Sequence, residues 1–301
     1  MFLVKNFESF REAMIRAIMK SVNRRRWIIV LAVLGTIFFG GYGILCGVLY
    51  KYQDKLVYFP DDYFPTDPAA EGLAVEEFEL EVEPGSTVTG WVFKVDPEAP
   101  WILHFHGNAG NISGRIDYLK LFKELGFNGV LFDYRGYGKS KGVPTEKGLV
   151  ADGLAVVKYM TDTLMVDPNR LIYYGESLGG GVAGAVAEVE EPRALILKST
   201  FTSVPDLGAE LYPFFPVRLI SHTQFNTKDR VKSFLFPKLI IHGQPDTVIP
   251  YEHGQRLYQT ASEPKRFLEI YRDHNTGPLG LGQEFKQVVK EFVLEAVPDD
   301  Y

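Results

Sequence analysis

The sequence predicts an α/β protein: a mostly parallel, eight-stranded sheet flanked by helices, with a short cap and one N-terminal transmembrane helix ahead of it. Three observations predict it. Eight short runs rich in β-branched and aromatic residues (78–82, 88–95, 101–105, 129–132, 171–174, 194–197, 238–241 and 267–271) read as strands. Helical patterns at 112–125, 146–162, 178–189, 252–262 and 282–296 separate most of them, and such alternation implies parallel strands with helices on both faces. Residues 27–50 carry no charge, and at about 1.5 Å per residue they are long enough to cross a bilayer core of about 30 Å. At 301 residues the chain can bury a substantial core, as one large or two small domains.

Taken in order, residues 1–26 hold seven basic side chains (Lys5, Arg11, Arg16, Lys20, Arg24, Arg25, Arg26) and two acidic ones (Glu8, Glu12). Leu3, Phe7, Phe10, Met14 and Ile18 recur at helical spacing, which fits an amphipathic helix on an anionic membrane surface as well as it fits a solvated basic tail. The run 27–50 exceeds the apolar region of a signal peptide and ends without a small-x-small cleavage site, so a transmembrane anchor is expected. Gly43 and Gly47 add a GxxxG pair of the kind that packs helices. Because the basic excess precedes the span, the positive-inside rule expects 1–26 in the cytoplasm and the rest across the membrane. That is a single-pass, signal-anchor topology, ending in a periplasm or an endomembrane lumen. The chain carries −6 overall; with +5 in the tail, residues 27–301 carry −11, too acidic for a nucleic-acid partner. Cys46 is the only cysteine, which excludes an intramolecular disulfide and a cysteine metal site. Residues 51–72, rich in Pro, Asp and aromatics, read as a juxtamembrane linker, and 73–301 as one domain.

Within that domain the chain runs from Leu171-Ile172-Tyr173-Tyr174 straight into Gly175-Glu176-Ser177-Leu178-Gly179, then into a small, apolar helix. Strand, Gly-x-Ser-x-Gly, helix is the setting of a nucleophile elbow. The flanking glycines allow the tight turn, and the serine lands at a helix N-terminus where free N–H groups favour a developing oxyanion. The plainer alternative is a glycine-rich turn whose serine caps the helix. A serine needs a base, and the base needs an acid to orient it. His274 lies in the loop after the last strand and Asp246 in the loop after the preceding one. Ser177, Asp246 and His274 thus follow the Ser…Asp…His chain order at strand ends, where active sites of parallel sheets form. Asp273, next to the base, competes for the acid role. The loop His106-Gly107-Asn108 follows the third strand, so the backbone N–H of Asn108, with that of Leu178, is the expected oxyanion pair. His104 and His106 fall on one strand face and read as structural. Asp133 and Arg135, in Asp133-Tyr134-Arg135-Gly136, read as a turn whose charged groups satisfy the backbone and each other.

With these residues in view, the chain resembles the Bem46-like branch of the α/β-hydrolases. The resemblance rests on HGNAGN at 106–111, DYRGYGKS at 133–140 and GESLGG at 175–180, together with His242-Gly243, Asp246 and His274-Asn275. It covers roughly residues 51–296 and implies an α/β-hydrolase fold with Ser177 as nucleophile, His274 as base, Asp246 as acid, and Asn108 and Leu178 as oxyanion donors. Members are serine hydrolases, mostly esterases or thioesterases, several of them membrane-tethered. The members that remove palmitate carry an N-terminal cysteine cluster that this chain lacks.

The longest irregular stretch, about 200–236, is expected as the cap. Its Phe201, Leu211, Tyr212, Phe214, Phe215 and Phe225 either line an apolar acyl pocket or pack on the sheet. No glycine-rich segment carries the Lys-Ser/Thr partner of a phosphate loop, and neither a cofactor nor a metal is expected. The function expected is cleavage of an ester or thioester of a small-molecule or lipid acyl substrate by a membrane-anchored serine hydrolase. A serine peptidase and a non-catalytic membrane-tethered scaffold are the competing classes. Oligomeric state is left open.

Overall fold

No charge interrupts the chain from Trp27 to Tyr50, and that stretch lies within a single helix, α1 (Phe2–Tyr52). The structure, a computed structural model, describes residues 2–297, with side chains from Phe10 onward. Within α1, Phe10–Tyr52 is long and apolar enough to cross a membrane. Of the amphipathic stripe expected in residues 1–26, the side chains of Leu3 and Phe7 lie outside the described residues, while Phe10, Met14 and Ile18 are exposed. The chain forms two compact units, the first ending at Tyr52 and the second beginning at Gln53.

The second unit opens with a one-turn helix, α2 (Asp54–Val57), and a two-residue strand, β1 (Phe59–Pro60). A hairpin follows, β2 (Glu76–Glu83) and β3 (Ser86–Phe93), about the Pro84-Gly85 turn. Strand and helix then alternate: β4 (Trp101–Phe105), the short β5 (Ala109–Gly110), α3 (Ile116–Leu125), β6 (Asn128–Asp133), α4 (Glu146–Asp162), β7 (Leu171–Glu176), α5 (Leu178–Ala187) and β8 (Ala194–Lys198). Three short helices, α6 (Val204–Leu211), α7 (Val217–Ile220) and α8 (Thr227–Ser233), lead to β9 (Lys238–Gly243), α9 (Tyr251–Thr260), β10 (Lys265–Ile270) and α10 (Gly282–Ala296).

All eight expected strands pair in one sheet of order β2-β3-β6-β4-β7-β8-β9-β10. β3 is antiparallel to both its neighbours, β2 and β6, while β6, β4, β7, β8, β9 and β10 run parallel. Alternation along each strand feeds two cores. Leu103, Phe105 and Tyr173 join helices α4, α5, α8 and α9 on one face, through Val156, Val182, Val231 and Leu257. Ile102, Ile172 and Tyr174 join α3 and α10 on the other, through Leu119, Phe285 and Val293. This two-faced burial is why the parallel strands read as continuous apolar runs.

Residues 53–72 pack within the second unit: Tyr58 is buried in the first core, and β1 pairs in parallel with β5. The stretch 200–236 is more ordered than its sequence indicates. Ser203 caps α6 by accepting from the Asp206 N–H (3.1 Å), with Pro205 in the first turn. At eight, four and seven residues, these helices are too short for a periodic pattern to stand out. Of its aromatics, Phe201 and Phe225 pack into the sheet core, whereas Tyr212 and Phe214 are exposed.

Candidate active site

Parallel strands end on one edge, and that edge gathers the loops after β4, β7, β9 and β10. At the end of β7 the chain reverses so tightly that Ser177 takes φ 55° and ψ −119°, a strained conformation worth roughly 1–3 kcal/mol that persists only where its surroundings enforce it. The glycines explain how. A Cβ on Gly179 would stand 2.0 Å from the Phe105 carbonyl oxygen, and one on Gly175 would stand 2.6 Å from the Gly180 Cα. Only hydrogen fits at either position, so α5 can press against β4 and β7. The Ser177 amide donates to the Lys198 carbonyl (2.9 Å), and the Thr200 hydroxyl donates to the Ser177 carbonyl (2.6 Å).

The structure brings Ser177, His274 and Asp246 together. His274 Nε2 lies 3.2 Å from Ser177 Oγ, and its Nδ1 lies 2.7 Å from Asp246 Oδ2. Asp246 Oδ1 accepts from the Val248 and Ile249 amides at 2.9 and 2.8 Å. Burial acts to raise the Asp246 carboxyl, but the hydrogen bond and charge of His274, with these two amides, outweigh it and hold the group below the usual carboxylate range. An ionised carboxylate only accepts, so His274 Nδ1 carries the proton and Nε2 presents its lone pair to the serine hydroxyl. Asp273 faces elsewhere: its Oδ1 meets the Thr247 amide at 3.5 Å and hydroxyl at 3.4 Å. His242 stands behind Asp246, with Nε2 donating to the Ile249 carbonyl (2.9 Å) and lying 3.5 Å from Asp246 Oδ2. Burial keeps its imidazole below the ordinary histidine value and therefore neutral.

Leu178 is the first residue of α5, whose leading amides have no acceptor within the helix. The position of a Cβ on Gly107 would lie 3.4 Å from Ser177 Cβ and 3.6 Å from the Glu176 carbonyl, so the loop carrying Asn108 abuts the turn that carries Ser177. The Asn108 side chain is engaged on its far side. Its Oδ1 accepts from the Phe59 amide (3.0 Å) and the Tyr137 hydroxyl (3.1 Å), tying the loop to β1 and to the turn after β6.

Two sequence expectations are corrected. His104 and His106 do not share a face, because β4 ends at Phe105 and the chain turns. His104 stacks on Tyr118 and Tyr174 in one core, while His106 lies against Tyr134 and Tyr137 toward the other. Nor do Asp133 and Arg135 satisfy each other. Arg135 pairs with buried Asp152 on α4 (Nη2–Oδ1 2.8 Å), while Asp133 accepts from the Ile112 amide (2.8 Å) and lies 3.5 Å from His106 Nε2. Burial pushes His106 down to about 3 and Asp133 up to about 8, so at neutral pH the carboxyl keeps its proton. The His106 Nδ1 donates to the Gly107 carbonyl (2.7 Å), which leaves Nε2 to face that carboxylic acid. Both groups serve to set the loop after β4.

Sequence reasoning passed over Glu176, Lys198 and Arg115. Lys198 is 1 % exposed and donates to Glu176 Oε1 at 2.6 Å. Burial alone would raise Glu176, but the charges of Lys198 and Arg115 outweigh it and hold the carboxyl far below its ordinary range. A lysine closing the otherwise apolar run Ala194-Leu195-Ile196-Leu197 was the available signal, since a buried lysine requires a partner.

Comparison with known proteins agrees with this architecture. A family profile described as "alpha/beta hydrolase fold" matches residues 100–218. An uncharacterized protein of Mycobacterium tuberculosis, Rv2307c, is 34% identical over 279 residues, covering 91% of this chain and 98% of its own length. Protein bem46 of Schizosaccharomyces pombe is 30% identical over 267 residues, covering 84% of this chain and 89% of its own. Among solved structures, the Pyrococcus furiosus esterase Pf2001 superposes with a TM-score of 0.66 at 22% identity, covering 80% of this chain and 98% of that one.

Proposed function

We propose that this chain, which belongs to the α/β-hydrolase family in its Bem46-like branch, is a membrane-anchored serine hydrolase that cleaves a carboxylic ester or thioester. The observation that carries the reading is the continuous link from Ser177 Oγ to His274 Nε2 (3.2 Å) and from His274 Nδ1 to Asp246 (2.7 Å).

In this reading His274 Nε2 takes the hydroxyl proton as Ser177 Oγ bonds to the acyl carbon. The carbonyl electrons move to oxygen, where the N–H groups of Leu178 and Asn108 receive the charge at the head of α5. The Asp246 carboxylate stabilises the imidazolium, which then protonates the departing alcohol or thiol. Water repeats the sequence on the acyl-enzyme and releases the acid. Every group required is a side chain or amide of this chain, so the reaction as written uses no cofactor. The acyl substrate is a small molecule or a lipid. Residues 27–50 are the anchor, 1–26 the cytoplasmic tail, and 73–301 the hydrolase domain beyond the membrane with its cap at about 200–236. The charge-free length of the span and the basic excess ahead of it support that part.

The test is covalent labelling of the detergent-solubilised full chain by a fluorophosphonate, which needs an activated serine. Labelling of the wild type and none in Ser177→Ala is expected, with p-nitrophenyl ester turnover falling on the order of 10⁶-fold. Turnover that survives the substitution overturns the assignment. A wild type that never labels points instead to a binding scaffold on a hydrolase fold.

A further inference from the structure

Acyl transfer needs two pieces of chain in register: the elbow that carries the serine, and the separate loop after β4 that carries the second oxyanion amide. Van der Waals contact at Gly107 lets them approach but does not hold them. One side chain reaches both. Arg115 sits just before α3, three-quarters covered, with Nε 3.7 Å from Glu176 Oε2. Its Nη2 donates to the Ala109 carbonyl at 3.0 Å. Glu176 immediately precedes the nucleophile, and Ala109 immediately follows the residue whose amide is assigned to the oxyanion. We infer that Arg115 is a positioning residue, clamping the loop 107–110 to the nucleophile elbow so that the Asn108 N–H meets the oxyanion that Ser177 creates. This rests on the acyl-transfer reading above.

The surroundings favour a clamp over a simple structural ion pair. Glu176 already has a charge partner in Lys198, at 2.6 Å and buried. The carboxylate would stay compensated without Arg115, so the fold does not need a second cation there. What the guanidinium adds is span: its plane carries several N–H groups in fixed geometry, so Nε can lie at ion-pair distance from the carboxylate (3.7 Å) while Nη2 hydrogen-bonds the carbonyl (3.0 Å), which a single ammonium cannot do. The same Nη2 lies 3.8 Å from where a Gly107 Cβ would be, so the fork runs alongside the loop it holds. The Arg115 hydrogen bonds go to the Ala109 and Gly114 carbonyls and not to Ser177, so its effect passes through the loop.

The experiment compares the detergent-solubilised full chain with Arg115→Ala and Arg115→Lys. Amide hydrogen exchange over 107–111 is measured alongside p-nitrophenyl ester kinetics and the affinity of a boronic acid transition-state analogue. Exchange should rise in both variants. The kcat should fall roughly 10- to 100-fold with KM little changed, and analogue affinity should fall in parallel, as expected when a donor is displaced by an ångström or so. Added guanidinium should restore part of the kcat of Arg115→Ala. Unchanged exchange in the loop overturns the clamp, whatever happens to activity. A raised KM with kcat intact overturns it too, because that pattern reports substrate binding and not oxyanion stabilisation. If Arg115→Ala fails to fold, Arg115→Lys decides alone: wild-type exchange and kcat in that variant sink the inference. Raised exchange in a protein whose wild type has no esterase activity leaves the clamp standing and removes the hydrolase reading.

Discussion

Asp246 and Asp273 are chemically identical, both precede or adjoin the loop that holds His274, and only their surroundings distinguish them. Asp246 is 7 % exposed, takes two backbone N–H bonds on one oxygen and the imidazole on the other. Asp273 is exposed and reaches Thr247. Replacing Asp246 by Asn would leave shape intact but remove the acceptor that keeps the His274 proton on Nδ1. Ester turnover should fall on the order of 10⁴-fold, while Asp273→Asn should stay near wild type. Steady-state kinetics on both variants check this, and comparable losses in the two would reverse the assignment. The same pairing makes a stability statement. The folded carboxyl of Asp246 lies below its unfolded value, so its contribution is present at neutral pH and is lost as pH falls through the folded value. Asp246→Asn should therefore show a shallower loss of thermal stability on acidification below about pH 4.

At the scale of elements, the elbow works because α5 sits closer to the sheet than side chains ordinarily permit. Every residue of α5 is buried, and the obstacle to a larger residue at Gly179 is backbone: the Phe105 carbonyl at 2.0 Å cannot rotate away as a side-chain tip could. Gly179→Ala would have to lift α5 or bend β4, the strand whose following loop bears Asn108. A loss of stability of about 2 kcal/mol or more is expected, seen as a lowered denaturant midpoint, with fluorophosphonate labelling lost by the same movement. An Ala variant with wild-type stability and labelling would mean that the contact relaxes at no cost. The stretch 200–236 illustrates the opposite case. Its helices are short, α6 alone among them has a side-chain N-cap, and two of its aromatics, Phe201 and Phe225, are spent on the core.

For the whole molecule, the governing contrast is between one uncharged run and an acidic remainder. Residues 27–301 carry −11 against +5 in the tail, and a bilayer separates such halves readily when the basic one stays in the cytoplasm. A periplasm- or lumen-dependent reporter such as alkaline phosphatase, joined to the C-terminus, should be active, and one that works only in the cytoplasm should not. The reverse result would place the hydrolase unit inside. The proposed anchor predicts that extraction requires detergent and resists high salt, because insertion of an apolar span does not depend on surface charge.

Much of this protein could be read from residue order. Period-two and charge-free runs report which surfaces avoid water, and that is a local property, so all eight sheet strands, the five long helices between them and the apolar span were legible. Ser177, Asp246 and His274 were legible for a related reason: each lies just past a strand, and parallel strands end on one edge. What residue order leaves open is pairing across distance. That Arg135 turns to Asp152 and not to Asp133, that His104 and His106 part company at a strand end, and that Arg115 spans Glu176 and Ala109 were decided only by the tertiary structure. A buried charge takes whichever partner packing brings within about 3–4 Å, and that distance depends on the whole sheet.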